Sequence, residues 1–354
     1  MRPAILIVDD EPANLALLRQ ILLPDYALVF ARCGEEALAA AAKHHPALIL
    51  LDIQMPDMDG YTVCRRLKGQ AQTEHIPVIF VTDLAEIGDE TAGFVAGGVD
   101  YIVKPVSPPI VRARVRTHLS LVSVRQLEKS YHDAIYMLGE ASEFKDAETG
   151  AHIWRMAGYS CALAGACGWD ASACEQMKLA APLHDIGKLG IPDAILNKPG
   201  RLDAGERIVM QAHTVIGYKI LSESTAPILQ MAATIALHHH EKWDGSGYPN
   251  GVEGEAIPEM ARIVAIADVF DALSMTRSYK EGWPLERVID TLTGNAGSHF
   301  DPSLIEHFIR VLPEILSIRD KWSTGKPDLE RSHTVLAASE AGTRSGAGFP
   351  STCR

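Results

Sequence analysis

Short apolar runs alternate with helical stretches over the first third of the chain. Ile5–Val8, Leu48–Leu51, Val78–Val81 and Tyr101–Val103 are unbroken or nearly unbroken apolar runs, the pattern of strands buried on both faces. Such runs separated by helices predict an α/β doubly wound fold, a parallel sheet of five strands covered on both sides. Polar residues collect where these strands end. Asp9 and Asp10 follow the first, Asp52 the third, Thr82 the fourth, and Lys104-Pro105 the fifth. In an open sheet of this kind the carboxyl ends of the strands share one crevice. Three carboxylates held together there repel one another unless a divalent cation lies among them, so Asp9, Asp10 and Asp52 predict a Mg²⁺ site suited to phosphoryl chemistry.

The pattern changes after Pro108-Pro109, where no further proline occurs before Phe144 and the one glycine, Gly139, comes late. Val124, Leu127, Tyr131, Ala134 and Leu138 recur at intervals of three and four, a stripe suited equally to pairing with a second copy of the helix or to packing on the following module. From Asp146 to Lys321 the apolar spacing is helical and strand-like alternation is rare, which predicts an all-α module. Beyond Trp322 the chain collects Ser, Thr, Gly and Pro without periodic apolar residues, and disorder is expected. The boundaries read in this way are 1–120, a connecting helix over 121–145, 146–321, and a tail over 322–354.

Composition narrows the class. A chain of 354 residues with 47% hydrophobic and 22% charged residues suits two globular modules. No apolar run reaches the length of a bilayer and the first residues turn acidic too soon for a secretory signal, so neither membrane insertion nor export is expected and a cytoplasmic location is. The six cysteines form no CxxC pair, against both a disulfide framework and a thiolate zinc site. The net charge of −12 excludes broad attraction to nucleic acid; an anionic substrate needs locally placed positive charge.

The second module carries candidate ligands in unusual density. Glu148 and His152 stand at i and i+4, on one face of a helix. His184 and Asp185 are adjacent within the apolar run AAPLHDIGKLGI; on a helix they diverge by roughly 100°, so they serve different ions, or Asp185 bridges two through its two oxygens. His239 and His240 repeat the adjacency, His213 adds another imidazole, and Asp268 sits in the apolar run ARIVAIADVFDAL, where an acid is costly unless it is paired or binds metal. Each feature alone fits a solvated face or a satisfied core histidine. Together they exceed what one ion needs, and nitrogen and oxygen donors without thiolate suit iron or manganese. Two or three such ions activate water and hold both the attacking and the leaving oxygen of a phosphodiester. Asp244-Gly-Ser-Gly-Tyr-Pro249 between these ligands is, on physics alone, a turn whose Gly245 and Gly247 permit close approach.

Asp9, Asp10, Asp52, Thr82, Tyr101 and Lys104 make the first segment resemble the response-regulator receiver domain, with its flavodoxin-like fold. That resemblance implies that Asp52 accepts phosphate from a cognate histidine kinase, that Asp9, Asp10 and Asp52 hold Mg²⁺, that Lys104 contacts the phosphoryl group, and that Thr82 with Tyr101 forms a switch pair. Asp83 departs from the small residue usual after the switch threonine. HDIGK, HHEKWDGSGYP, ADVFDAL and the later Arg277-Ser-Tyr-Lys280 occur in order, and the second module resembles the HD-GYP family of cyclic di-GMP phosphodiesterases, an HD-type helical domain. By that resemblance Glu148, His152, His184, Asp185, His213, His239, His240 and Asp268 are the metal ligands, with Asp185 as the bridge. Asp185 and Lys188 are then catalytic; Lys188, Arg277 and Lys280 contact substrate phosphates; and Gly247, Tyr248 and Pro249 border the site, a loop that also docks diguanylate cyclases. The glutamate matching Glu148 marks family members that hold a third ion. His238 reads as a neighbour of the ligands, and His299 as structural.

The expected function is a response regulator that hydrolyses cyclic di-GMP to pGpG and on to GMP under control of Asp52. The alternatives are a low-turnover cyclic-dinucleotide adaptor, disfavoured because no ligand is missing, and an HD phosphohydrolase of another nucleotide, disfavoured by the GYP loop and the Arg277/Lys280 pair.

Overall fold

The structure is a computed structural model that describes residues 2–56, 58–83, 87–145, 151–276 and 281–323. Glu148, Arg277, Lys280 and the tail after Ser323 lie outside the described residues. The chain divides into two compact units, Met1–Ser130 and Tyr131–Arg354.

In the first unit β1 (Ala4–Val8), β2 (Ala27–Ala31), β3 (Leu48–Asp52), β4 (Val78–Thr82) and β5 (Asp100–Val103) form one parallel sheet in the order β2-β1-β3-β4-β5. The helices are α1 (Pro12–Leu22), α2 (Gly34–His44), α3 (Gly60–Lys68), α4 (Ile87–Val95) and the start of α5 (Pro108–Lys145). Alternation along each strand divides the core into two layers. Leu6, Val8, Ile49 and Leu51 pack with Ala37, Ala41, Val63 and Leu67 of α2 and α3, while Ile5, Ile7, Leu48 and Leu50 pack with Leu15, Leu18, Val111 and Val115 of α1 and α5. The central runs are therefore apolar throughout. The edge strand β2, mostly part-exposed, is the one strand those runs did not mark.

α5 runs unbroken from Pro108 to Lys145, so the predicted connecting segment is continuous with the last helix of the first unit. Val124, Leu127 and Leu138 of the predicted stripe are exposed, at 51%, 70% and 51%, and Ala134 is exposed too. The position that enters the core of the second unit is Ile135, with Tyr131 and Tyr136 packed partly against it.

That unit comprises, besides the end of α5, helices α6 (Ala151–Ala166), α7 (Ala171–Ala180), α8 (Asp193–Leu196), α9 (Ala204–Gln211), α10 (His213–Leu221), α11 (Pro227–His238), α12 (Glu259–Ser274), α13 (Leu285–Gly294), α14 (Pro302–Arg310) and α15 (Leu312–Ser323). Among the described residues it holds no strand, only an isolated bridge between Ala296 and Phe300. Met156, Tyr159 and Leu163 of α6, Ile235 and Ala236 of α11, and Ile263, Ile266 and Phe270 of α12 share one buried core.

His184 and Asp185 do not lie on an α-helix, contrary to the sequence reading. α7 ends at Ala180, and the pair joins two 3₁₀ turns, Ala181–Leu183 and Ile186–Gly190, with Asp185 at φ −102°, ψ 10°. Pro182 supplies the reason, since it has no N–H for the carbonyl of Lys178 four residues back. That carbonyl accepts instead from the Tyr136 hydroxyl at 3.5 Å.

Candidate metal centre

Register places the receiver acids. Val8 of β1 pairs with Leu51 of β3, so Asp9 and Asp52 leave neighbouring strands side by side at the point where strand order reverses. Both are buried, and ligand atoms of Asp9, Asp10 and Asp52 lie within 4.8 Å of one another. Lys104, one residue beyond β5, reaches between them, with Nζ 3.1 Å from Asp9 Oδ2 and 2.8 Å from Asp52 Oδ2. The second oxygen of Asp9 accepts from the Glu11 N–H and from Asn14. Burial raises the Asp52 carboxyl above its ordinary value, against the opposing pull of Lys104. Burial also works against the Lys104 ammonium, yet its bonds to Asp52 and Asp9 outweigh this and raise its pKa. Thr82 is buried and Tyr101 half-buried on adjacent strands; Asp83, the departure from the family, is exposed.

Seven of the eight predicted ligands in the second unit are described, and all seven converge. Ligand atoms of Asp185, His213, His239 and His240 lie within 4.8 Å of one another, and so do those of His152, His184 and Asp268. The two groups adjoin through the adjacent pair, with His184 Nε2 3.3 Å from Asp185 Oδ2. Asp185 Oδ1 faces His213 Nε2 at 3.2 Å and His239 Nε2 at 3.6 Å. Its carboxylate thus presents one oxygen to each group. Lys188 Nζ lies 2.8 Å from Oδ2.

Proton bookkeeping tests whether metal fits. His184, His213 and His239 each have Nδ1 against a main-chain carbonyl, of Ala181, Met210 and Ile235, at 2.9, 2.8 and 3.1 Å. A carbonyl only accepts, so Nδ1 carries a proton, which leaves Nε2 as the nitrogen able to bind a metal. His213 Nε2 and His239 Nε2 are nonetheless 3.5 Å apart, and both face Asp185 Oδ1, a buried oxygen without a hydrogen-bond donor. Two imidazole nitrogens and a carboxylate oxygen converging in a buried site fit a cation among them. Burial holds His239 below its ordinary pKa and His240 well below it, which keeps both rings in the ligating form. Burial opposes the charge of Asp185, but Lys188 beside it holds its carboxyl well below the usual range. The donor sets of both groups fit a divalent metal ion.

The turn predicted at Asp244–Pro249 lies over the first group. The Tyr248 ring stacks on His240, centroids 4.8 Å apart at 27°, and Tyr248 N–H donates to the His240 carbonyl at 3.2 Å. A Cβ on Gly247 would overlap the backbone of Glu241 and Lys242. Glu241 is buried and accepts from the Asn250 N–H at 2.8 Å, closing the loop. Trp243 and Asp244 N–H groups donate to the carbonyls of His299 and Ser298, so the HFDP segment anchors the turn. His238 is a neighbour, its Nδ1 4.0 Å from Glu241.

Sequence reasoning missed the group behind His152. Asp271 is buried, takes His152 Nδ1 at 2.7 Å and binds Arg155 through both oxygens at 2.6 and 2.8 Å. Burial opposes its ionisation, but Arg155 and His152 bring its pKa down to about 2. A signal was present: Asp271 follows Asp268 by three, and Arg155 follows His152 by three, so each shares a helix face with a ligand.

The architecture and site define a class: a phosphoacceptor-type α/β domain followed by a helical domain with histidine and aspartate metal groups. The response regulator receiver domain family matches residues 5–116, and the HD domain family matches residues 133–304. The "Probable cyclic di-GMP phosphodiesterase" of Vibrio cholerae serotype O1 is 39% identical over 352 residues, 90% of this chain and 80% of its own length. The "Cyclic di-GMP phosphodiesterase response regulator RpfG" of Xanthomonas campestris pv. campestris is 36% identical, over 90% of both chains. A further Vibrio cholerae protein, "3'3'-cGAMP-specific phosphodiesterase 2", is 46% identical over 56% of this chain and 38% of its own. This chain belongs to the family of response regulators that join a receiver domain to an HD domain. No helix among the described residues is long and apolar enough to cross a membrane.

Proposed function

We propose that this protein is a metal-dependent phosphodiesterase that hydrolyses cyclic di-GMP under control of a histidine kinase acting on Asp52. The observation that carries the reading is the convergence of seven described ligands in two adjoining groups that share the Asp185 carboxylate, with Lys188 beside it. Divalent ions held there, iron or manganese by donor type, supply Lewis-acid polarisation of a phosphodiester and a water of lowered pKa. The chain's own residues do the rest. Asp185 places one oxygen in each group, which fixes their spacing. Lys188 supplies the positive charge that a diester needs on a chain of net charge −12. Tyr248, stacked on His240, presents an aromatic wall beside the site, suited to a base. Glu148 adds a third-ion ligand, and Arg277 with Lys280 completes the phosphate contacts. In the first unit Mg²⁺ among Asp9, Asp10 and Asp52 shares the crevice with Lys104, and Thr82 with Tyr101 reads the phosphoryl state. The exposed stripe Val124, Leu127 and Leu138 suits pairing with a second copy, which lowered self-association of Leu127→Glu in sedimentation would support.

Anaerobic turnover of cyclic di-GMP by iron- or manganese-loaded protein, with linear dinucleotide and GMP followed separately, tests the assignment. Rapid hydrolysis to pGpG and then GMP is expected. Binding at full metal occupancy without turnover would sink the enzyme in favour of an adaptor for diguanylate cyclases. The relative named for 3'3'-cGAMP favours that dinucleotide as the competing substrate, and the ratio of the two kcat/KM values decides between them.

A further inference from the structure

Four histidines of the two metal groups are held from behind, in two different ways. His184, His213 and His239 lean on main-chain carbonyls. His152 leans on a carboxylate, Asp271 Oδ2, at 2.7 Å. The difference matters because a carboxylate accepts the Nδ1 proton more strongly than a peptide carbonyl. It draws electron density toward Nε2 and makes that nitrogen the better donor to a cation. Asp271 itself is kept out of the coordination by Arg155, whose guanidinium takes both of its oxygens. The clamp is rigid because all three side chains are buried, on α6 and α12, which pack together in the core.

We infer that Asp271, clamped by Arg155, is a positioning residue that sets the divalent-ion affinity of the His152–His184–Asp268 group separately from that of the Asp185–His213–His239–His240 group. The inference rests on the metal reading above and adds to it an inequality between the two groups. One group has a ligand made more basic by a buried charge.

The test is a titration of metal-free, full-length protein, ¹⁵N-labelled in histidine, with Zn²⁺ as a diamagnetic probe, followed at the ring nitrogens of His152 and His213. Asp271→Asn keeps an acceptor for the His152 proton and removes the charge. Arg155→Gln/Asp271→Asn does the same without burying a guanidinium opposite a neutral amide, and it carries the test should the single variant fail to fold. Wild type is expected to respond at both rings. In the variants the affinity read at His152 falls about 10- to 100-fold, while that read at His213 stays as in wild type. A mere packing role would lower both readings together, and that result, or an unchanged His152, overturns the assignment while leaving the metal reading intact. Wild-type protein that shifts neither ring on addition of Zn²⁺ overturns the metal reading and this inference with it.

Discussion

Asp185 is the one described side chain whose two oxygens face different groups, Oδ1 toward His213 and His239 and Oδ2 toward His184 and Lys188. Asp185→Ala therefore removes a shared ligand and the ion pair with Lys188. We expect kcat to fall by about 10²–10³-fold or more, the scale of losing one electrostatic stabiliser, and metal content measured on the same sample to fall with it. Full activity at full metal content would dismiss the bridging role. His299, which is not among the predicted ligands, offers a separate residue-level test. Burial lowers its pKa to about 4, with Lys242 adding to the shift. Between the ordinary histidine value near 6.5 and about 4, the unfolded chain binds a proton that the folded chain refuses. Stability due to this group is complete above that window and is lost as pH falls through it, with a slope of at most about 1.4 kcal/mol per pH unit. His299→Gln should flatten the acid limb relative to wild type in denaturant titrations from pH 6.5 to 4, and parallel curves would exclude the effect. These residues differ in how plainly the sequence declared them. The ligands were legible because histidines and acids in apolar runs have few other uses. Asp271 and Arg155 were not, because a charged residue every third or fourth position on a helix is ordinary until burial is known.

At the scale of elements, the site depends on one close crossing. Gly187, in the 3₁₀ turn after Asp185, packs on α10 so tightly that a Cβ there would overlap the His213 carbonyl and the Gly217 nitrogen. This contact sets Asp185 against His213, because one residue follows the first ligand by two positions and the other opens α10. Gly187→Ala must push the turn and the helix apart. Overpacking of this kind costs about 1–3 kcal/mol, and here the displacement also separates two ligands. Thermal unfolding of the variant should show the lost stability, and metal analysis should show depletion of the Asp185–His213–His239–His240 group. Unchanged metal binding would mean that the turn yields without moving Asp185. The sequence announced a helix at this place because a 3₁₀ pair and an α-helix share the same apolar spacing over so short a run. Only Pro182 hinted at the break. The parallel sheet was easier to read, since strands buried on both faces leave long apolar runs that nothing else in the segment imitates. Its edge strand β2, half-exposed, left no such mark.

The whole molecule carries one site in each unit, and α5 runs from the first unit into the second. In the first unit, acids gather around a lysine at the end of a parallel sheet, and a phosphoryl group on Asp52 would bring more negative charge beside Asp9 and Lys104. Lys104 divides its ammonium between the two carboxylates; a phosphoryl group esterified to Asp52 would add three acceptor oxygens that compete for that ammonium. The proposed switch would act at the ends of β4 and β5, where Thr82 and Lys104 stand. α5 begins five residues after Val103 and continues without a break to Lys145, past Ile135 and Tyr136 in the core of the second unit. Tyr136 stacks on Trp154, centroids 3.9 Å apart at 17°, and Trp154 follows the ligand His152 by two residues. A small-molecule phosphodonor such as acetyl phosphate, with Mg²⁺, should therefore change the turnover of cyclic di-GMP in wild type and leave Asp52→Asn at its basal rate, with the same metal content in both. The variant is the informative control, because asparagine keeps the shape of the crevice and abolishes only its capacity to accept phosphate. Should both proteins respond alike, the donor acts elsewhere than Asp52. Should neither respond while wild type carries one phosphate per chain, the receiver is phosphorylated without governing hydrolysis, and the coupling along α5 has no part in its control.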